Sequence, residues 1–374
     1  MALTRIANIA STIPDDSIAN VKMANIVQSK NIIINGDMSV AQRTTSATGK
    51  TTGAYYVCDR WKEDMSSMGT WSFSQSTTVP SGQGFASSLK YDCTTADASP
   101  GASDKLNLQQ RFEGQNLQYL KKGTANAEST TLSFWVRSNK TGTYICELQD
   151  IDNDRAISKS YTISVADTWE KKTITFAGDT TGALDNDNAR SLDVIWYLGA
   201  GSNLTSGSLQ TSWGAKVNAN RAVGQVNLAD STSNEWYITG AQLETGDTAS
   251  EFEFLPVDLN LFRCQRYFFS LGGSATYQTY GYGMCFSSSG GMIGVPYPTT
   301  MRTAPTVATE TLASFVTKSG SQLGGAPTSL VADFPGINFA NVELGGLSSM
   351  TDKDALRLYT NNSTATRLEF NSEL

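Results

Sequence analysis

The sequence predicts an all-β protein: an antiparallel jelly-roll sandwich, then a smaller C-terminal β-domain, with a short helical or extended attachment segment ahead of both. Three observations lead there. Short runs of alternating, β-branched and aromatic residues recur through residues 31–255, separated by Gly, Asn, Asp and Ser clusters. Gly 32 and aromatics at 10%, against charge at 17%, describe a turn-rich β-surface rather than a helical or disordered chain. A length of 374 residues is enough for two to three domains with cores of their own.

Residues 1–30 do not form a domain. Leu3, Ile6, Ile9 and Ile13 recur at spacings of three and four, Pro14 to Ser17 interrupt, and Ile18, Val21 and Val27 resume the apolar stripe. Asp15, Asp16 and Ser17 suit a helix N-terminus, but two such short helices are marginal alone in water. The stripe needs a partner, so the segment reads as an attachment and oligomerisation element. A frayed terminus is the alternative.

Residues 31–256 supply the sandwich. Its expected strands include Ile32–Ile34, Trp71–Phe73, Ser88–Tyr91, Thr131–Val136, Tyr144–Leu148, Tyr161–Val165, Lys172–Phe176, Leu192–Leu198 and Glu235–Ile238. Gly114–Lys122, with Leu117 and Leu120 on one side, is a short helical interruption. Asp150, Asp152 and Asp154 have the spacing of a calcium loop's first ligands. Arg155 stands where that loop turns on Gly, however, and Tyr161 where it needs a bidentate Glu, so the stretch reads as a polar turn. Asp59-Arg60-Trp61 reads as structural, with Arg60 paired to a carboxylate and Trp61 buried.

The chain pivots on residues 236–269. Trp236, Ile238, Ala241 and Leu243 alternate as a strand broken by Gly240, a bulge or close backbone approach. Glu251 to Leu255 alternates again until Pro256, which has no N–H for a ladder. Leu261–Phe269 then opens the C-terminal unit, 257–374, as a short helix or a strand. Pro296 and Pro298 confine their segment to a sheet edge or a sheet entry, and Val331–Phe339 and Leu356–Tyr359 supply later strands. Apolar content is modest here, so part of the stability is expected from neighbouring subunits.

Composition excludes several functions. The chain has no histidine, which removes Ser-His-Asp and Cys-His catalysis and nearly all catalytic zinc sites, leaving carboxylate-only chemistry such as glycoside hydrolysis. Asp and Glu number 35, and no motif singles out a catalytic pair, so no enzyme is expected. A net charge of −7 without long basic runs argues against nucleic-acid binding. Five widely spaced cysteines without C-x-x-C predict buried, reduced thiols. No apolar run approaches membrane-spanning length and Met1–Arg5 lacks a signal's apolar core, so a soluble chain without membrane insertion is expected.

The passage "ITGAQLETGDTASEFEFLPVDLNLFRCQRYFF" (238–269) resembles a junction of bacteriophage tail-fibre and virion surface proteins, where a carbohydrate-binding-module-like jelly roll ends and a C-terminal β-domain begins. "NIIINGDMSVAQR" (31–43), "YYVCDRWKE" (55–63), "QRFEGQNLQYL" (110–120), "TLSFWVRS" (131–138) and "TWEKKTITF" (168–176) resemble earlier parts of that module. The resemblance covers about residues 31–300 and implies a tail-fibre or receptor-binding subunit of the virion. Such a subunit would be a homotrimer that docks other tail or neck proteins through residues 1–30 and adheres to host surface polysaccharide. A purely structural virion component is the alternative, and a polysaccharide depolymerase a third. The resemblance implies no cofactor beyond a structural calcium, for which Asp37 and Glu244 hold the corresponding places; Thr239-Gly240 stand where paired acids are often found.

For sugar, aromatic faces and hydroxyl-binding polar groups are the candidates: Trp213 in the long polar loop 199–230, Tyr277, Tyr280 and Tyr282 among glycines, and Arg221, with Trp71, Asn203 and Asn218 as further options. For each aromatic the structural alternative is a place in the core, and for Trp213 a role pinning its loop.

Overall fold

The computed structural model describes residues 30–309 and 312–374; the expected attachment segment lies outside these apart from its last residue. The chain is all-β and antiparallel throughout. In the sandwich, β1 (Ser46–Ala54) pairs with β2 (Lys62–Ser76), which is long enough to serve two sheets. Residues 62–66 of β2 pair with β4 (Lys105–Glu113), and residues 70–76 pair with β3 (Ser88–Thr95). Between them Ser67 (φ 50°) and Gly69 (φ 73°) turn the strand from one sheet into the other.

The first sheet continues from β4 through β9 (Arg190–Ala200), β6 (Gly142–Asp150) and β7 (Arg155–Ile163) to the two-residue β10 (Gly214–Ala215). The second continues from β3 through β11 (Glu235–Thr245) and β5 (Thr130–Ser138) to β8 (Glu170–Phe176). Successive strands mostly alternate between the two sheets, the jelly-roll connection. Their inner faces meet in one aromatic-rich core. Trp196 contacts Trp61 (centroids 5.5 Å) and Phe134 (5.7 Å), while Tyr91 stands edge-on to Trp236 (5.6 Å).

Most expected strands are present, and the turn at Asp150–Asp154 joins β6 to β7. Gly240 breaks the register of β11 against β5 at φ 62°, where a Cβ would lie 2.5 Å from the Phe85 ring. Gly114–Lys122 holds two 3-10 turns, with Leu117 and Leu120 buried.

Three expected strands differ, the last being Val331–Phe339, which spans the end of one strand (Ser329–Asp333), a turn over 334–338 and the first residue of the next strand (Phe339–Gly345). Ile32–Ile34 is buried but joins no ladder: Ile32 N–H donates to Leu243 O (2.8 Å), and side-chain amides then take the backbone groups that follow. Asn31 Oδ1 accepts from Ile33 and Leu243 N–H, and Gln110 both donates to and accepts from Ile34. Glu251–Leu255 is irregular, since Phe252 and Phe254 pack around Phe85 with centroids 5.1 and 5.0 Å away. Ring contacts with the buried Phe85 there replace strand pairing.

After Pro256 the open choice between helix and strand resolves into both, helix Val257–Gln265 and then β12 (Phe268–Gly272). β12 pairs with β21 (Arg367–Asn371), which also pairs with β15 (Thr306–Ala308). A seven-stranded sheet has the order β17 (Gln322–Gly325), β16 (Phe315–Ser319), β20 (Ala355–Thr360), β13 (Thr279–Cys285), β14 (Gly290–Pro296), β19 (Phe339–Gly345), β18 (Ser329–Asp333). Its buried face shares a core with β12 and β21.

The two units meet at the helix. Cys264 and Tyr267 pack on Ile34 and Val40, Arg266 grips Glu113 through two hydrogen bonds (2.8 and 2.6 Å), and the residues after β21 return to the sandwich. Arg60 pairs there with Glu373, beside buried Trp61, as its neighbours in sequence indicated. All five cysteines are buried and unpaired.

Glu63 on β2 is buried, with Oε2 accepting Tyr56 N–H (3.0 Å). Burial pushes its pKa up to about 8 from 4.5. An acid raised in the fold contributes stability that is full below about pH 4.5 and lost as pH rises through about 8. Glu63→Gln is expected to stabilise the protein at pH 8 by on the order of 2 kcal/mol and to leave it nearly unchanged at pH 4.5. Urea melts at the two pH values check this.

Candidate functional site: a polar cleft on the first sheet

Strand β4 reads Lys-Leu-Asn-Leu-Gln-Gln-Arg-Phe-Glu, so Leu106, Leu108 and Phe112 enter the core while Lys105, Asn107, Gln109 and Arg111 take the outer face. Residues paired across strands extend this into rows. One runs Asp64–Asn107–Tyr197, the next Lys62–Gln109–Ile195–Glu147–Ser158, and the third Arg111–Asp193–Gln149–Ala156. Amides and charges dominate a face that an ordinary solvent-facing sheet would fill with Thr, Ser and Lys.

The long polar loop covers one end of this face. Leu204, Leu209 and Ala222 pack on Ile145, Ile195 and Tyr197. The loop is held by its own backbone, with Ala222 N–H donating to Leu204 (2.9 Å) and Gly207 N–H to Ala219 (2.9 Å). What stays uncovered is a cleft of about 200 Å³, with Asn107, Gln109, Gln149 and Tyr197 as floor and Lys105, Arg190 and Arg221 around it.

Its charges are mutually arranged. Arg221 binds the buried Glu147 from Nε (3.0 Å) and Nη2 (2.5 Å) and donates to Gln149 (2.7 Å). Burial raises the Glu147 pKa, against the pull of Arg221 and Ser158. Burial raises Asp64 too, but the Lys105 ammonium (2.5 Å), with Lys62 and Arg111, outweighs it and holds Asp64 below its ordinary value. Arg190 pairs with Asp193. Asn107, 3% exposed, has an Oδ1 to which no protein group donates, so a water or a ligand hydroxyl in the cleft can serve it. Tyr197 is buried under Arg221, so the cleft has no exposed aromatic platform.

The residues expected from sequence scatter. Arg221 stands in the cleft. Trp213 sits at the other end of the loop, packed against the core with its indole N–H on Ala177 O (2.8 Å) and Lys122 over its ring; it pins the loop. Trp71 is in the core, and Asn203 and Asn218 belong to the loop's own turns. Tyr280 is buried in the C-terminal core with its hydroxyl on Thr366 O (2.7 Å). Tyr277 and Tyr282 are 58% and 69% exposed. Tyr282 shares a cavity of about 260 Å³ with Lys318 and Arg357 on the outer face of the seven-stranded sheet.

Asp37 and Glu244 are surrounded by donors. Ser39 Oγ (3.0 Å) and Asn260 Nδ2 (3.1 Å) serve Asp37; Ser250 Oγ (2.7 Å) and N–H (2.8 Å) serve Glu244. Calcium takes six to eight oxygen ligands, and this donor set does not suit it. Among the described residues no group of three or more acidic or thiol side chains converges.

Missed from sequence were Asn107, Gln109, Gln149 and Tyr197. The signal was present in β4, whose outward positions are all amide or cationic.

No protein-family model and no curated protein matches the chain. Among solved structures it is similar to the enzymatically active domain of tailspike protein 4 of bacteriophage CBA120, at 12% identity over 58% of this chain and 22% of that one, with a TM-score of 0.30. It is similar also to TmCBM61 in complex with β-1,4-galactotriose, at 10% identity over 58% of this chain and all of that one, TM-score 0.29. A third is the CBM22-1 xylan-binding domain of Paenibacillus barcinonensis Xyn10C, at 11% identity over 55% and 94%, TM-score 0.25. At these values the likeness assigns neither ligand nor activity to this chain.

Proposed function

We propose that the chain is a glycan-binding surface protein of a bacteriophage virion, a tail-fibre or receptor-binding subunit that takes a host surface saccharide into the cleft on β4, β6 and β9. The observation that carries the binding reading is Asn107, a buried amide with an open acceptor facing a cleft walled by amides and cations. The virion setting rests on the sequence resemblance. The reading is of binding without catalysis, and the ion pairs that hold Asp64, Glu147 and Asp193 support it. No cofactor is needed for such binding.

Tyr282, Met284, Phe286, Val331 and Phe339 are exposed in the seven-stranded sheet's neighbourhood, an apolar surface fit for contact with further copies in a homotrimer. Residues 1–30 would then dock the particle. That same surface also favours a second reading, a purely structural virion component without a glycan site.

The test uses labelled protein on intact bacterial cells, with extracted surface polysaccharide as competitor. Strain-selective adhesion, competed away by the polysaccharide and weakened about tenfold in Asn107→Ala and Gln149→Ala, is expected. Adhesion unchanged in both variants, with their melting temperatures unchanged, removes the cleft from the account.

A further inference from the structure

We infer that the C-terminal unit carries a second saccharide site, on the outer face of its seven-stranded sheet, where Lys318 and Arg357 meet the oxyanion of an acidic sugar and Tyr282 supplies a face for its ring. The site stands apart from the cleft and does not depend on it. Arg357 on β20 pairs in the ladder with Lys318 on β16 at one side and with Tyr282 on β13 at the other, so the three form one row. Thr317, Leu356 and Leu358 take the buried face, which turns that row outward. A cavity of about 260 Å³ opens along it.

Two cations directly opposite on neighbouring strands, their Cβ atoms about 5 Å apart, repel each other. Among the described residues neither has a carboxylate partner or a side-chain hydrogen bond; the Arg357 guanidinium rests on the Tyr359 ring instead (4.4 Å to the centroid). In the cleft, by contrast, Lys105, Arg190 and Arg221 each hold a carboxylate. The chain has a net charge of −7, yet among the described residues no acid lines this cavity. An oxyanion between Lys318 and Arg357 would turn a repulsive pair into two charge-assisted contacts, and a guanidinium suits a carboxylate or a phosphate bidentately. Tyr282, 69% exposed, ends the row as an open ring. Beyond it Gly294 has no side chain, and the Phe339 ring leans into that space, 2.5 Å from where a Cβ would stand. A bare ion would use none of this aromatic surface; a sugar ring carrying its charge would use both. Val331, on β18, lies at the opposite end of the sheet order from β16 and β20, so contact between copies there leaves the row open.

The experiment measures binding of the full-length protein to uronate-containing and phosphate-bearing bacterial polysaccharides, each native and with its charge removed by carboxyl reduction or dephosphorylation, beside dextran and dextran sulfate. Native acidic forms are expected to bind about tenfold tighter than their neutralised forms, and the treatment that costs the affinity identifies the anion. Lys318→Gln and Arg357→Gln should each shrink that ratio several-fold, Tyr282→Ala should weaken binding several-fold, and Asn107→Ala should leave the ratio as it is. Lys318→Gln removes no hydrogen bond and relieves a like-charge pair, so it keeps its melting temperature and guards against a folding artefact. Native and neutralised forms bound alike, or a ratio unchanged in Lys318→Gln and Arg357→Gln, would overturn the inference. A ratio lost in Asn107→Ala and kept in Lys318→Gln would move the anion to the cleft and overturn it too. Dextran sulfate bound as tightly, with Tyr282→Ala unchanged, would reduce the row to a charge patch and overturn the assignment to a sugar. A ratio lost in the Lys318 and Arg357 variants, with cell adhesion intact in Asn107→Ala and Gln149→Ala, sinks the cleft and leaves this site standing.

Discussion

Replacing Arg60 with methionine is expected to destabilise the protein by about 3 kcal/mol, the cost of taking the buried guanidinium from Glu373 and leaving that carboxylate to the longer contact with Arg43 (3.4 Å). Arg60 is 1% exposed and pairs with Glu373, 313 residues along the chain. Its guanidinium also lies 3.5 Å from the Tyr267 ring centroid and donates to the Arg111 carbonyl (2.6 Å). One side chain thus ties the sandwich, the segment after the helix and the returning C-terminal residues.

Without it, Glu373 would remain buried near Asp59, itself pushed up to about 6 by burial with Glu373 contributing. The double variant Arg60→Met/Glu373→Gln should recover more than half the loss, because both charges then go together. Denaturant melts of the single and double variants form the cycle. A loss below about 1 kcal/mol for the single variant would mean that the pair does not anchor the tail. The same change should loosen the Arg111 end of the cleft, since Arg111 donates to Leu374.

Arg221→Met should cost a comparable amount, about 3 kcal/mol at pH 8, and should abolish glycan adhesion. Glu147 loses its charge partner and keeps Ser158 (3.2 Å) as a donor. Its pKa, already raised by burial, rises further. For an acid raised in the fold, stability is present at low pH and lost as pH increases, so the variant should approach the parent near pH 4.5 and fall behind it toward pH 8. Arg221→Met/Glu147→Gln should restore much of the stability at pH 8 without restoring adhesion. Recovery of adhesion in that double variant would count against a binding role for Arg221.

The jelly roll was legible because its signal is local. Period-2 runs such as Lys172–Phe176 and turn clusters such as Asn139–Gly142 specify strands whatever lies beside them. Gly240 and Arg60 were legible for related reasons, a glycine inside a strand and a charge beside a tryptophan. Ile32–Ile34 and Glu251–Leu255 misread because distant groups, Asn31, Gln110 and Phe85, compete for their backbone and side chains.

The cleft was only half legible. Arg221, in the loop, could be named, but its partner Glu147 comes from strand β6, and no spacing along the chain joins them. Aromatic candidates failed in another way. Trp71 and Tyr280 alternate with polar neighbours just as exposed residues do, and the packing of the second layer alone decides which way they face.

The most direct test of the central claim is a crystal structure of the protein with a fragment of the polysaccharide it adheres to. The account predicts saccharide density against Asn107, Gln149 and Arg221, with Asn107 Oδ1 accepting a hydroxyl hydrogen bond. Density over Tyr277 or Tyr282 on the C-terminal sheet, with the cleft holding only solvent, would contradict it.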